Sequence, residues 1–74
     1  MGVTLIPVGF LKEYTGGHDR LQLAAGPTVS EMLETAGIPP ALVAAAVRGD
    51  ELVPKDYRPQ DGESIKVIAI MGGG

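Results

Sequence analysis

The chain has 74 residues, a formal net charge of −3 at pH 7, one histidine and no cysteine. This composition excludes disulfides, thiolate metal sites and an internal sulfur nucleophile, and the six scattered basic residues do not form the cationic patch of a nucleic-acid interface. The apolar runs fall short of the ~20 residues that a membrane span needs, and we see no signal peptide at the N-terminus. We therefore expect one small cytoplasmic domain without membrane or nucleic-acid partners.

The first third of the chain predicts a β-hairpin. Residues 3–10 (VTLIPVGF) are rich in β-branched and apolar side chains and indicate a strand, in which Pro7 favours an edge position or a bulge. Turn-forming residues follow, including Gly16 and Gly17. The segment RLQLA then alternates apolar and polar residues and predicts the second strand.

The next segment, PTVSEMLETAG, predicts a helix of about ten residues. Thr28 and Glu31 have the spacing of a capping box, in which each side chain satisfies a backbone amide of the first turn. Gly37 suits the left-handed position that ends a helix, and two prolines follow it. The apolar residues of the segment have helical spacing and form one stripe: Val29, Met32, Leu33 and Ala36.

The second half of the chain predicts three more strands. ALVAAAVRGDELVP indicates a strand, a tight turn around Gly49-Asp50 and a short strand. A loop ends at Asp61-Gly62, and SIKVIAIM forms the last strand. The order strand, strand, helix, strand, short strand, strand predicts a two-layer α+β fold.

One helix can cover only one face of such a sheet. The first and last strands carry apolar residues at both parities, so some of Ile6, Val8, Ile68 and Ile70 should stay exposed near the C-terminal tail. Exposed apolar patches on small domains commonly mark a partner surface, although loops that cover the face, or scattered surface aliphatic residues, would also fit the pattern. No nucleophile–base pair or carboxylate cluster is visible, so we do not expect an enzyme.

The segments VGFLKEYTGG, PTVSEML, VRGDELVP and RPQDGESIKV, in this order and with a Gly-Gly end, resemble the ThiS/MoaD sulfur-carrier family. The resemblance covers essentially the whole chain. It implies the ubiquitin-like β-grasp fold, with a mixed sheet of 4–5 strands and one main helix. The domain would span residues 1–71, followed by a flexible Gly-Gly-Gly tail at residues 72–74.

The resemblance also implies the chemistry of a protein co-substrate. The carboxylate of Gly74 would be adenylated with ATP by an adenylyltransferase related to ubiquitin-activating enzymes, while Gly72 and Gly73 thread the tail into that partner. A persulfide sulfur donor would then displace AMP and leave a thiocarboxylate for a downstream sulfur-accepting synthase. No cofactor or metal would be bound by the carrier itself.

A partner surface beside the tail is part of the same expectation. The family's patch corresponds to Val8, Leu52 and Ile68 here, and the predicted interface also includes Ile70, from the exposed apolar residues above, and Met71. The turn at Val47-Arg48-Gly49 departs from the family, in which asparagine more often precedes the glycine, so we expect altered turn geometry in an intact hairpin.

The pathway and two alternative functions stay open. The ending has three glycines and Ile68–Met71 lacks the prolines of many molybdopterin-type tails, which favours a thiamine-like or orphan carrier over a molybdopterin-like one. A ubiquitin-like modifier, conjugated through Gly74, would share the fold and the activation step. A non-covalent β-grasp binding module with an inert tail is the third hypothesis.

Overall fold

The computed structural model describes residues 2–70. Their elements, in chain order, are β1 (Val3–Pro7), a 3-10 helix (Gly9–Thr15), β2 (Leu21–Leu23), α1 (Val29–Ala36), a second 3-10 helix (Pro40–Leu42), β3 (Val43–Arg48), β4 (Glu51–Val53) and β5 (Ser64–Ala69). The predicted order of strands and helix is thus confirmed.

The strands form one mixed sheet in the order β2-β1-β5-β3-β4. The central pair, β1 and β5, is parallel, and the other three pairs are antiparallel. Helix α1 packs on one face of this sheet and buries Val29, Met32 and Leu33 against it. The core also contains Leu11 of the first 3-10 helix and Ile38, which follows α1. This is the predicted α+β fold of five strands and one main helix.

The backbone amides at the N-terminus of α1 find acceptors in two side chains and in a neighbouring loop. The Thr28 hydroxyl accepts from the Glu31 amide, and the Glu31 carboxylate accepts from the Thr28 amide, which confirms the predicted capping box. The amides of Val29 and Ser30 donate to carbonyl oxygens of the loop after β4, at 2.9 Å each. The loop between β4 and β5 is therefore hydrogen-bonded to the first turn of α1.

Strand β1 is shorter than predicted and its position differs. It ends at Pro7 instead of residue 10, because Gly9 has a φ of 68° and opens the 3-10 helix. β1 is an inner strand, so the predicted edge position of Pro7 is wrong. The Val8 amide donates to β5, so the nitrogen of Pro7 points towards β2, whose pairing stops at Leu5. The missing N–H thus leaves no gap in the ladder.

Strand β3 contains a bulge that its alternating pattern does not reveal. Val43 pairs with Ala69 and Ala45 pairs with Ile68, so Ala44 is an extra residue in β3. As a result Val43 and Ala46 both face the core, whereas strict alternation would place them on opposite faces. The tight turn at Gly49-Asp50 forms as predicted, with a φ of 60° at Gly49.

Candidate functional site: the open face of the sheet and the start of the tail

No helix of the described residues covers the face of the sheet opposite α1. We call this surface the outer face. Cross-strand register defines its members, since directly paired residues point to the same side. The outer face consists of Thr4, Ile6, Gln22, Ala45, Val47, Leu52, Ser64, Lys66 and Ile68.

One row of the outer face crosses four strands. Leu52 of β4 pairs with Val47 of β3, which pairs with Lys66 of β5, which in turn pairs with Ile6 of β1. Leu52 is 75% exposed. Lys66 is therefore flanked by Val47 and Ile6 in the middle of an open sheet, and Leu52 lies beyond Val47.

A second row lies nearer the end of β5. Ile68 pairs with Ala45, and on its other side the Val8 amide donates to the carbonyl oxygen of Val67 at 3.1 Å, which brings Val8 beside Ile68. Val8 and Ile68 are both half-buried. The two rows together form a largely apolar surface that Lys66 interrupts.

The chain leaves the sheet at the end of this surface. The Ile70 amide donates to the carbonyl oxygen of Leu42 at 2.8 Å, which fixes the backbone one residue beyond β5. Ile70 is 47% exposed, and Phe10, in the 3-10 helix that follows β1, is 43% exposed. Because β1 and β5 are parallel, Phe10 lies at the same end of the sheet as Ile70.

The structure brings together the predicted interface residues that it describes. Val8, Leu52 and Ile68 lie on or beside the outer face, and Ile70 lies where the chain leaves it. Met71, Gly72, Gly73 and Gly74 lie outside the described residues, and so does the predicted boundary after residue 71. Contact of these residues with a partner stays a prediction.

Sequence reasoning missed Ala45 and Val47 on the outer face and Phe10 near the end of β5. Ala45 and Val47 belong to the outer face because of the bulge at Ala44, and an alanine run gives no signal for a bulge. Phe10 was included in the first strand, although the glycine before it was a signal that the strand ends earlier.

A polar cluster on the opposite side of the sheet holds the loop between β4 and β5. A guanidinium nitrogen of Arg48 donates to the Tyr57 hydroxyl at 2.8 Å, and that hydroxyl donates to Glu63 at 2.6 Å. The backbone amide of Gln60 donates to the same carboxylate oxygen at 2.8 Å. Arg48 also pairs with Glu51 across the turn. The cluster thus holds in place the loop whose carbonyl oxygens accept hydrogen bonds from the first turn of α1.

Hydrogen bonds and neighbouring charges shift the pKa values of Glu63 and Arg48. The Gln60 amide, the Tyr57 hydroxyl and the charge of Arg48 lower the pKa of Glu63 below its usual value. The hydrogen bonds that Arg48 donates to Glu51 and Tyr57 raise the pKa of Arg48 further, so the guanidinium stays charged. At neutral pH both Glu63 and Arg48 are therefore charged.

Glu63→Gln is expected to weaken the response of stability to acid. Because the folded-state pKa of Glu63 is lowered, its contribution to the free energy of unfolding is complete above the unfolded value of about 4.3 and disappears as the pH falls through the lower folded value. Urea unfolding between pH 6 and pH 2.5 should show a smaller loss of stability in the variant than in the wild type.

Tyr57→Phe serves as the companion variant, because it removes one donor to Glu63 and keeps the ring that Arg48 stacks on at 5.3 Å. Its acid response should fall between those of the wild type and Glu63→Gln. Identical pH slopes for the wild type and Glu63→Gln would contradict the assigned cause.

Residues 2–70 hold no group of three or more His, Asp or Glu side chains arranged to bind a metal ion. Among the same residues, no helix is long and apolar enough to cross a membrane. The candidate site is the outer face together with the end of β5.

Comparisons with known proteins agree with this architecture. The model of the ThiS family matches residues 8–74 of the chain. Among solved structures, the crystal structure of SAMP1 from Haloferax volcanii superposes with a TM-score of 0.62 at 18% sequence identity, covering 97% of this chain and 98% of SAMP1. The fold is thus the ubiquitin-like β-grasp fold expected from the sequence. A search of curated proteins finds no match.

Proposed function

The chain belongs to the ThiS family of small ubiquitin-like sulfur carriers, and we propose that it carries sulfur on the carboxylate of Gly74. One observation supports the proposal most directly: a largely apolar surface meets the point where the chain leaves the sheet, at Ile68 and Ile70. A carrier needs both features, a surface that a partner can recognise and a terminus that the same partner can reach.

Activation of the carboxylate is the first proposed step. A carboxylate is a poor electrophile, so its oxygen attacks the α-phosphorus of ATP in the pocket of an adenylyltransferase, and pyrophosphate leaves. Glycine residues suit the approach, because they lack a Cβ that would block a narrow channel or the carbonyl carbon. The ATP belongs to the partner, and the carrier supplies only the substrate group.

Sulfur transfer follows. The terminal sulfur of a persulfide donor attacks the carbonyl carbon of the acyl adenylate and AMP leaves, which gives an acyl disulfide. A thiol then attacks the donor's sulfur and breaks the S–S bond, which releases the thiocarboxylate and forms a disulfide. The thiocarboxylate delivers its sulfur to a synthase of cofactor biosynthesis, and the tail without prolines favours the thiamine type over the molybdopterin type.

The short tail requires the partner to dock close to the sheet. The four residues after Ile70 span ~14 Å when fully extended. Ordering a glycine tail costs conformational entropy, which apolar contact elsewhere must offset. The outer face supplies such contact immediately beside the tail. We therefore assign docking to the surface formed by Val8, Leu52, Ile68 and Ile70, together with Met71.

The intact mass of the protein, purified from its native host without reductant, tests the proposal. The expected result is a fraction heavier by one exchange of oxygen for sulfur, located in the fragment that ends at Gly74. The plain mass alone, even after incubation with host extract, ATP and a sulfur donor, would favour a binding module with an inert tail. A ladder of larger conjugates would favour a protein modifier.

A further inference from the structure

Lys66 differs from every other residue of the outer face. The strand residues that form this face are aliphatic or uncharged polar side chains, with Lys66 as the one charged member among those described. Its exposed side chain lies between Ile6 and Val47 in the register of the sheet. The molecule as a whole has a net charge of −3, so this positive charge stands against the overall balance.

The charge of Lys66 is not used to hold the fold. The ion pairs within residues 2–70 involve Lys12 with Asp19, and Arg48 with two glutamates. Lys66 takes part in none of them. Its place in β5 could hold an aliphatic residue, as positions 65, 67 and 68 do, and the exposed amine needs no protein partner while the face is open to water.

Docking of a partner changes the hydration of the Lys66 ammonium group. A partner that covers the outer face removes water from the lysine, and an ammonium group that loses its hydration without an opposite charge is costly. The neighbouring aliphatic side chains offer no acceptor. The cost is avoided when the partner presents a carboxylate at this position, within an otherwise apolar contact.

A partner that holds the tail and docks on the outer face covers Lys66. Lys66 and Ile70 are four strand residues apart, which is ~13 Å along β5. A standard interface of about 800 Å² on each partner corresponds to a patch about 32 Å across. With the tail limited to ~14 Å beyond Ile70, such a patch extends over the row that contains Lys66.

We propose that Lys66 determines the specificity of this face by pairing with a carboxylate on the adenylating partner, set within an apolar contact surface. The inference rests on the proposed function and deepens it, because it states the chemistry that the partner must present. Apolar contact supplies affinity, and the single charge selects the partner and its orientation, since a surface without the carboxylate would bury an unpaired ammonium group.

The test measures kcat/KM of ATP–pyrophosphate exchange by the adenylyltransferase of the same organism, with the full chain as substrate, at several salt concentrations. Lys66→Arg should stay within about threefold of the wild type, because it keeps the charge. Lys66→Gln should lose about 10- to 100-fold and most of the salt dependence, and Lys66→Glu should lose more. The melting temperature of each variant should match the wild type, since Lys66 is exposed.

Arg58→Gln is the matched control, because it makes the same change in net charge in the loop that contacts Gly26, away from the outer face. It should keep the wild-type salt dependence of kcat/KM. Equal kcat/KM and equal salt dependence for Lys66→Gln and an active wild type would overturn this inference and leave the proposed function standing. A wild-type chain that the enzyme does not adenylate would overturn both.

Discussion

A chain that lacks Gly74 is expected to lose adenylation by at least about 100-fold in kcat/KM. Each residue of extended tail contributes ~3.5 Å of reach. The reacting atoms must approach to about 3–3.5 Å for attack, so a carboxylate that is held one residue short cannot reach the α-phosphorus without pulling the body from its docking surface. Pyrophosphate exchange with the cognate adenylyltransferase measures the effect.

The three glycines allow a control that separates reach from chemistry. Removal of any one of them gives the same shortened chain, which still ends in a glycine carboxylate, so the reactive group is unchanged and only its distance from the sheet differs. A chain with a fourth glycine should retain more activity than the shortened one, because a longer tail can bend. Unchanged partner binding and function after the deletion would mean that the tail is inert.

Ile68→Arg is expected to abolish adenylation while the domain stays folded. Ile68 lies on the outer face, paired with Ala45 and two residues before Ile70. An arginine at this position would place a charge in the centre of the apolar contact. Burying an unpaired charge costs far more than the lost aliphatic contact alone. The side chain is only half-buried in the free protein, so the variant can direct its guanidinium into water and keep its fold.

Thr35→Arg is the matched control for that variant. It adds the same charge at an exposed position of α1, on the opposite side of the sheet from the docking surface. It should be adenylated at close to the wild-type rate, with an unchanged far-UV circular dichroism spectrum. If Ile68→Arg is adenylated as efficiently as Thr35→Arg, the docking surface is assigned to the wrong part of the molecule.

Local signals in the sequence were sufficient for the helix and the turns. The capping box of Thr28 and Glu31 and the left-handed Gly37 depend on residues three to nine positions apart, and each forms as predicted. The helix is eight residues instead of about ten because the cap residues at both ends are not part of it. Local chemistry determines these features, so a single sequence reveals them.

Features that depend on distant pairing could not be predicted in the same way. The bulge at Ala44 follows from the register of β3 against β5, about 25 residues away in the chain, and no turn residue marks it. The position of Pro7 in an inner strand follows from where β2 stops. The cluster of Arg48, Tyr57 and Glu63 likewise joins residues that the sequence shows only as members of a strand and a loop.

The candidate site was predicted in part for the same reason. Val8, Ile68 and Ile70 were identified because both parities of the first and last strands are apolar, which is visible in the sequence. The family resemblance added Leu52. Alternation along β5 already places Lys66 on the face of Ile68, whereas Val47 required the register, because only the pairing of β3 with β4 and β5 shows that it shares this face. Gly74 itself depends on the family match and lies outside the described residues.

The central position of β5 has a mechanical consequence. The tail is attached to a strand that is hydrogen-bonded on both sides, to β1 and to β3, and not to an edge strand. A pull along the tail by a partner loads both ladders in shear, so many hydrogen bonds must break together, whereas an edge strand could peel away one bond at a time. The carrier can thus be drawn firmly against its partners, and released again, without unravelling from the end at which it is held.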